Sequence, residues 1–280
     1  MAAMAPVAAA VVAAMDAPRA DRGGPVRPHE RVDDLQRSGL VIIQNPVGFR
    51  FGMDAVFLAE FATVRDTDRV IDLGTGTGVI PLLLWARRRP RSIVGVEILE
   101  DVADMAARSV KLNGLEEHIS ILQGDLRDAP ARFGREQFDV VTANPPYMKA
   151  GCGILPGQAS RAHDAQPDGA GGAGRAEARH EVLCTLEDVI ASAAALLKSR
   201  GRLAMVYRPV RLVDLICALR ARKLEPRRIR FVHGRAELVP MMVLVEAVKN
   251  VKPDLKVLPP LIIYGDNGGY TPEVVRIYEG

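Results

Sequence analysis

The sequence predicts an α/β fold, an open and mostly parallel sheet with helices on both faces. Three observations carry this. From residue 68 onward, short apolar runs alternate with longer runs of helical period. The first apolar run, Val70 to Leu73, feeds a glycine-rich turn, Gly74-Thr75-Gly76-Thr77-Gly78. A later one, Phe138 to Thr142, stops at Asn144-Pro145-Pro146-Tyr147. Strands joined through helices pair in parallel, and ligands of such sheets collect beyond the C-terminal strand ends.

The elements follow in order. Residues 1–28 read as a disordered extension: the first 15 are mostly alanine, and no Lys or Arg precedes Arg19, unlike a secretory signal. Met15 is an alternative start. Residues 29–280 read as one domain, made of a cap (29–67), a core (68–250) and a tail (251–280). The cap holds a hairpin-like piece, Leu40 to Phe51, and a helix from Asp54 to about Val64, with Asp54 as its N-cap acid. In the core, helix Val79 to Ala86 follows the glycines and strand Ser92 to Val96 ends at Glu97. Helix Asp101 to Leu112 is closed by Asn113-Gly114. Strand Ile119 to Gln123 ends at Gly124-Asp125-Leu126, and strand Phe138 to Thr142 ends at the prolines. The Gly- and Ala-rich stretch 150–176 reads as a flexible loop, a lid or disorder. Helix Leu186 to Ser199 is closed by Gly201. Strand Arg202 to Tyr207, helix Val210 to Lys223 and strands Arg228 to Val232 and Met241 to Val248 complete the core.

The chemistry concentrates at strand ends. Glycines let a backbone approach a ligand closely and open a helix N-terminus toward it. The spacing here is G-x-G-x-G, and Asp72 before it would repel a pyrophosphate; it suits a cationic or amino group, such as the methionine part of S-adenosylmethionine. Glu97, with Ile98 beside it, stands about 20 residues past the glycines, where an acid grips ribose hydroxyls. Asp125, with Leu126, can accept from an adenine amine. Asn144 and the carbonyl of Pro145 can accept both protons of a planar amine, in a backbone stiffened by Pro145 and Pro146, while Tyr147 stacks on the ring that bears it.

Composition sets bounds. The chain has 280 residues, 48% hydrophobic and 25% charged, which is ordinary for a globular protein. Three cysteines, Cys152, Cys184 and Cys217, have no metal spacing and fit a reducing cytoplasm. No apolar run reaches the roughly 20 residues of a membrane helix, and His29, His118, His163 and His233 show no metal-ligand pairing. Net charge is +3 overall, yet residues 198–256 carry 15 basic and 5 acidic residues. Arg222, Lys223, Arg227, Arg228 and Arg230 are candidate contacts to an anionic macromolecule; solvated helix faces are the alternative.

Asp72 to Gly78, Glu97, Asp125 and Asn144 to Tyr147 resemble the motifs of class I S-adenosylmethionine-dependent methyltransferases of the amino-methylating type. Arg31 to Gln36, Gln44 to Ala55, Ala178 to Glu181 and Val248 to Pro260 are similar to segments of the bacterial valine-tRNA adenine-N6 methyltransferases. That resemblance implies a seven-stranded sheet of order 3-2-1-4-5-7-6 with the last strand antiparallel, and a cap that covers the cofactor. It also implies methyl transfer to the N6 of an adenine beside the anticodon, without metal or membrane. Three rivals stay open: a glutamine methyltransferase acting on a release factor, a non-catalytic protein that binds S-adenosylmethionine, and a DNA adenine methyltransferase, for whose separate base-reading domain there is no room beyond the 150–176 loop. The first carries an N-terminal helical domain and a Glu-Pro signature not seen here, and the intact Asn144 to Tyr147 argues against the second.

Overall fold

The computed structural model describes residues 26–46, 52–145 and 184–279. The expected extension, the loop 150–176, Pro146 and Tyr147 therefore lie wholly or largely outside the described residues.

A sheet of nine strands forms the centre. Strand β3 (Arg69–Leu73) lies mid-sheet, followed outward by β4 (Ser92–Glu97) and β5 (Ile119–Gln123). On its other side come β6 (Phe138–Ala143), β7 (Leu197–Tyr207), β9 (Pro240–Lys249) and β8 (Leu224–His233). All pair in parallel except β9, which runs antiparallel between β7 and β8. The expected seven-strand order and the reversed last strand are thus both present. Two short strands absent from the expectation, β10 (Lys256–Val257) and β11 (Leu261–Ile262), add to the outer edge of β8.

The alternation within strands explains the two cores. Val70, Val140, Ala204 and Leu244 face one side, beneath α1 (Met53–Phe61) and α2 (Val79–Arg88). Ile71, Val141, Leu203 and Val243 face the other, beneath α5 (Leu186–Leu196) and α6 (Leu212–Ala221). Such two-sided burial is what apolar parallel strands need. Helices α3 (Glu100–Leu112) and α4 (Ala129–Phe133) connect β4 to β5 and β5 to β6, and α7 (Pro272–Glu279) closes the chain against α1. Among the described residues no helix is long and apolar enough to cross a membrane.

Several boundaries differ from expectation for local reasons. The hairpin pairs β1 (Arg31–Asp34) with β2 (Val41–Gln44), so it begins nine residues earlier than Leu40. Its turn places Gln36, Ser38 and Gly39 at positive φ. Helix α5 ends at Leu196, not Ser199: Leu197 already pairs with Phe138, and Arg200 turns at φ 64. Strand β8 starts at Leu224, four residues early, because a register shift between Pro226 and Arg228 absorbs the proline. Asp54 is not the N-cap: Gly52 is, and Asp54 lies inside the first turn of α1.

Candidate active site

After Arg69, strand β3 is apolar except for Asp72, which is fully buried near its C-terminal end. Burying a carboxylate without a counter-charge is costly, so its presence needs a reason. Thr142 of the adjacent strand β6 donates its hydroxyl to Asp72 Oδ1 at 2.6 Å. Asp72 Oδ2 has no hydrogen-bond partner, and the buried Thr77 hydroxyl is likewise unbonded. Burial pushes the carboxyl up to about 6; the Thr142 bond and the neighbouring Thr75 hydroxyl oppose this, and the Glu97 charge adds to it.

The turn after Asp72 is tied to β4. Gly74 and Thr75 both donate their amides to the Val96 carbonyl, at 2.9 and 3.0 Å. Gly74 adopts φ 72, and a side chain there would meet no atom within 4 Å, so the space over this turn is open. Gly78, at φ 84, serves packing instead: a Cβ would lie 3.3 Å from Ala106 of α3. Gly76, at φ 57, donates its amide to Glu97 Oε2 at 2.9 Å. The other oxygen of Glu97 accepts from the Leu99 amide at 3.0 Å. Glu97 is 1% exposed, so its carboxylate both shapes the glycine turn and closes one wall of the open space. Ile98 is half-buried beside it, and its carbonyl accepts from Gln123. Asp125 follows β5, clamped by the Arg127 guanidinium and backbone amide, which hold its carboxyl below the usual carboxylate range. Leu126 packs into the core beneath it.

Asn144 stands immediately after β6, half-buried, with Pro145 buried behind it. Its Nδ2 donates to Asp54 Oδ2 at 3.0 Å. A carboxylate can only accept, so this contact fixes which end of the amide is nitrogen. Asn144 Oδ1, an acceptor, then faces away from Asp54. The structure thus brings Asp72, the glycines, Glu97, Asp125 and Asn144 to successive strand ends along one edge of the sheet. Two residues of this edge were not singled out as site residues. Thr142 gave no signal beyond its place in the strand. Asp54 reads in the sequence as a helix cap.

The five basic candidates do not form one surface beside this edge. Strand β8 runs in the direction of β6, so Arg222, Lys223 and Arg227, before and early in β8, lie toward the opposite edge. Arg227 pairs with Asp254 at 2.5 Å, and Arg230 with Glu273 at 2.7 Å. Arg228 donates to Thr63 and to buried Glu246, and its guanidinium lies 4.6 Å from the centre of the Phe61 ring. Its run of positive charge in sequence is a structural brace in the fold. Among the described residues, no group of three or more His, Cys, Asp or Glu is arranged to hold a metal.

A doubly covered sheet of this order, with an acid, a glycine turn, two further acids and an asparagine along one edge, is a class I methyltransferase that draws on S-adenosyl-L-methionine. The open space over Gly74 and the unbonded oxygen of Asp72 fit such a donor. The methyltransferase small domain family matches residues 52–154. A tRNA1(Val) (adenine(37)-N6)-methyltransferase of Porphyromonas gingivalis is 30% identical over 246 residues, covering 85% of this chain and 90% of that one. A namesake from Aeromonas salmonicida is 30% identical over 169 residues, 60% of this chain and 63% of its own. Among solved structures, a predicted O-methyltransferase, protein Atu636 from Agrobacterium tumefaciens, superposes with a TM-score of 0.61 at 25% identity, covering 81% of this chain and 95% of that one. A tRNA m1G37 methyltransferase of M. jannaschii shares the fold, at a TM-score of 0.52 and 14% identity over 80% of this chain and 58% of its own. The chain belongs to the tRNA1(Val) (adenine(37)-N6)-methyltransferase family.

Proposed function

We propose that the protein methylates the exocyclic N6 of an adenine in tRNA, the adenine beside the anticodon of a valine tRNA, in the cytoplasm. The observation that carries this reading is the Asn144–Asp54 contact, which turns the Asn144 oxygen away from the carboxylate and makes it an acceptor for an amine. The names of the relatives in this family support the choice of adenine N6.

The residues then divide by role. Asp72, with its unbonded oxygen, and the turn at Gly74 and Gly76 would hold the amino-acid end of S-adenosyl-L-methionine, with Gly78 packing that turn against Ala106. Glu97 would take the ribose hydroxyls on its remaining lone pairs, with Ile98, Asp125 and Leu126 around the adenine. The bound cofactor supplies a methyl group already activated by its sulfonium.

Asn144 Oδ1 and the Pro145 carbonyl accept the two protons of the target amine. The amine of adenine is a poor nucleophile because its lone pair is delocalised into the ring. Two acceptors out of plane favour a pyramidal nitrogen and free that lone pair. Once methylated, the nitrogen carries a positive charge and loses one proton to water, so no strong base is required. Positioning therefore supplies most of the rate. Pro146 stiffens the motif, and Tyr147 stacks on the base once it has left its helix stack. Arg222 and Lys223 stay exposed at the far edge and would meet phosphates of the tRNA body.

Labelled methyl transfer to bulk tRNA, DNA and a release factor, followed by nucleoside analysis, tests the reading. N6-methyladenosine in tRNA is the expected product. Label appearing only in DNA or in the release factor would overturn it.

A further inference from the structure

Strand β11 runs parallel to β8 and leaves the sheet at the edge that carries Asn144. Its exit is fixed: Ile262 pairs with His233, and the Tyr264 amide donates to the Gly234 carbonyl at 2.9 Å. The chain then reverses through a tight turn. Gly265 donates to the Gly269 carbonyl at 2.9 Å, and Gly268 adopts φ 77. Tyr270 returns opposite Tyr264 in an antiparallel bridge. Thr271 pins the returning strand by donating its hydroxyl to the Ile262 carbonyl at 2.7 Å.

Three tyrosine rings stack in a column through this turn. Tyr264 and Tyr270 lie 5.5 Å apart between ring centres with planes 24° apart. Tyr270 and Tyr278 lie 6.0 Å apart at 6°. Tyr278, on α7, is 5% exposed, whereas Tyr264 and Tyr270 are only half-buried. The column therefore starts in the core and ends at the surface with Tyr264. Its middle ring reaches the active site: the Tyr270 hydroxyl lies 3.9 Å from Met53 Sδ, and the next residue, Asp54, holds Asn144.

The cofactor residues Asp72, Glu97 and Asp125 lie on β3, β4 and after β5, one side of Asn144. The tyrosine column lies on the other side of Asn144, away from the cofactor residues. Turning a base out of a loop leaves its neighbour without a stacking partner on one face. An aromatic ring substitutes for that partner with little regard to base identity.

We propose that Tyr264, backed by Tyr270 and Tyr278, is a stacking platform for the base next to the target adenine in the tRNA loop. This rests on the tRNA reading above and adds a second contact to the same substrate. The target base itself is excluded from this position, because Met53 and Asp54 stand between Tyr270 and Asn144. Among the described residues, no surplus of positive charge lies beside the platform: Arg235 is exposed next to Gly234, Glu237 is exposed in the same turn, and Asp266 is exposed at the tip of the tyrosine turn. The platform's contribution is therefore stacking, independent of salt, unlike phosphate contacts.

The test uses full-length Tyr264→Leu and Tyr264→Trp proteins, with a valine anticodon stem-loop and two copies abasic at either neighbour of the target. Melting temperature and S-adenosyl-L-methionine affinity are measured beside methylation. Tyr264→Leu is expected to lose about 10-fold in kcat/KM on the intact stem-loop, at low and high salt alike, as loss of one stacked base predicts. Tyr264→Trp keeps the activity. Wild type loses a similar factor on one abasic copy, and Tyr264→Leu loses nothing further on it. Unchanged kcat/KM in Tyr264→Leu, an additive loss on both abasic copies, or a fall in melting temperature that accounts for the loss would overturn the platform. Absence of methylation of any RNA by wild type would fell the tRNA reading itself, and the platform with it.

Discussion

Asn144 Nδ2 and Asp54 Oδ2 lie 3.0 Å apart, joining the end of β6 to the first turn of α1 across ninety positions of sequence. On the proposed reading the contact makes Asp54 a positioning residue, because it sets the direction of the amide assigned to the target amine. Asp54→Ala releases that amide to rotate. Small misplacements of a reacting group cost on the order of 100-fold in rate, so kcat should fall by about that factor while cofactor affinity holds. Asp54→Asn retains an acceptor and should recover part of kcat. Single-turnover methylation of tRNA beside calorimetric titration of cofactor checks both. Equal losses in both variants, or a parallel loss of cofactor affinity, would remove the positioning role.

Asp72 should trade stability for binding. Its folded carboxyl sits at about 6, above the ordinary aspartate value of 3.8, so the folded state holds its proton longer than the unfolded chain does. Between these values the folded protein binds more protons, and stability therefore falls as pH rises from about 4 to about 6. Above that window the buried charge is a standing cost. Asp72→Asn keeps an acceptor for Thr142 and removes the charge. Melting temperature in the absence of cofactor should rise at pH 7.5, by an amount that shrinks at pH 4.5, while cofactor binding is lost. A variant that melts lower at pH 7.5 contradicts this.

Glu97→Ala should injure both function and fold. The carboxylate accepts from two backbone amides, Gly76 and Leu99, as well as facing the cofactor space. Leaving a buried donor unpaired costs about 1–3 kcal/mol. Cofactor affinity should drop by at least 10-fold and the melting temperature by several degrees; Glu97→Gln, with one acceptor left, should fall between. Scanning calorimetry with and without S-adenosyl-L-methionine separates the two effects, and an unaltered melting curve for the alanine variant would refute the structural half.

Arg228→Ala should act on stability before it acts on RNA. Glu246 is buried and accepts from the Thr63 amide and hydroxyl and from Arg228. Removing one partner of a buried ion pair costs about 3–5 kcal/mol, and here the remaining Thr63 bonds and the partial exposure of Arg228 bring it lower, to roughly 1–3 kcal/mol. Chemical denaturation should show the loss, and Arg228→Ala with Glu246→Gln together should recover part of it. A stable Arg228→Ala protein with weak tRNA binding would return Arg228 to the RNA-facing set.

The glycine turn and the asparagine were legible because their signals are local. Asp72 through Gly78 is a contiguous string, and two prolines end β6 whatever surrounds them. What the sequence hid is nonlocal. Asp54, two residues after Gly52, reads as a helix cap, and only the folded chain reveals Asn144 as its partner. Arg228 sits in a basic run and reads as surface, while Phe61 and Glu246 that absorb it are distant in sequence. Three of the four residues of strand β1, Arg31, Asp33 and Asp34, are charged, which leaves no apolar alternation; Asp33 is nevertheless buried, paired with Arg31 and bonded by Gln44. Strands β10 and β11 are two residues each, below the length at which any period can be recognised.

The carbonyl of Ile277 accepts from both Arg37 and Arg87, so α7 is bolted to the hairpin turn and to α2. Chains emerge from the ribosome N-terminus first. The tyrosine turn and α7 follow the strands that carry Asp72, Glu97 and Asn144, so the wall they form beside Met53 is added to a sheet edge already synthesised. On the proposed reading, the contact for the neighbouring base is the last part of the site to be built.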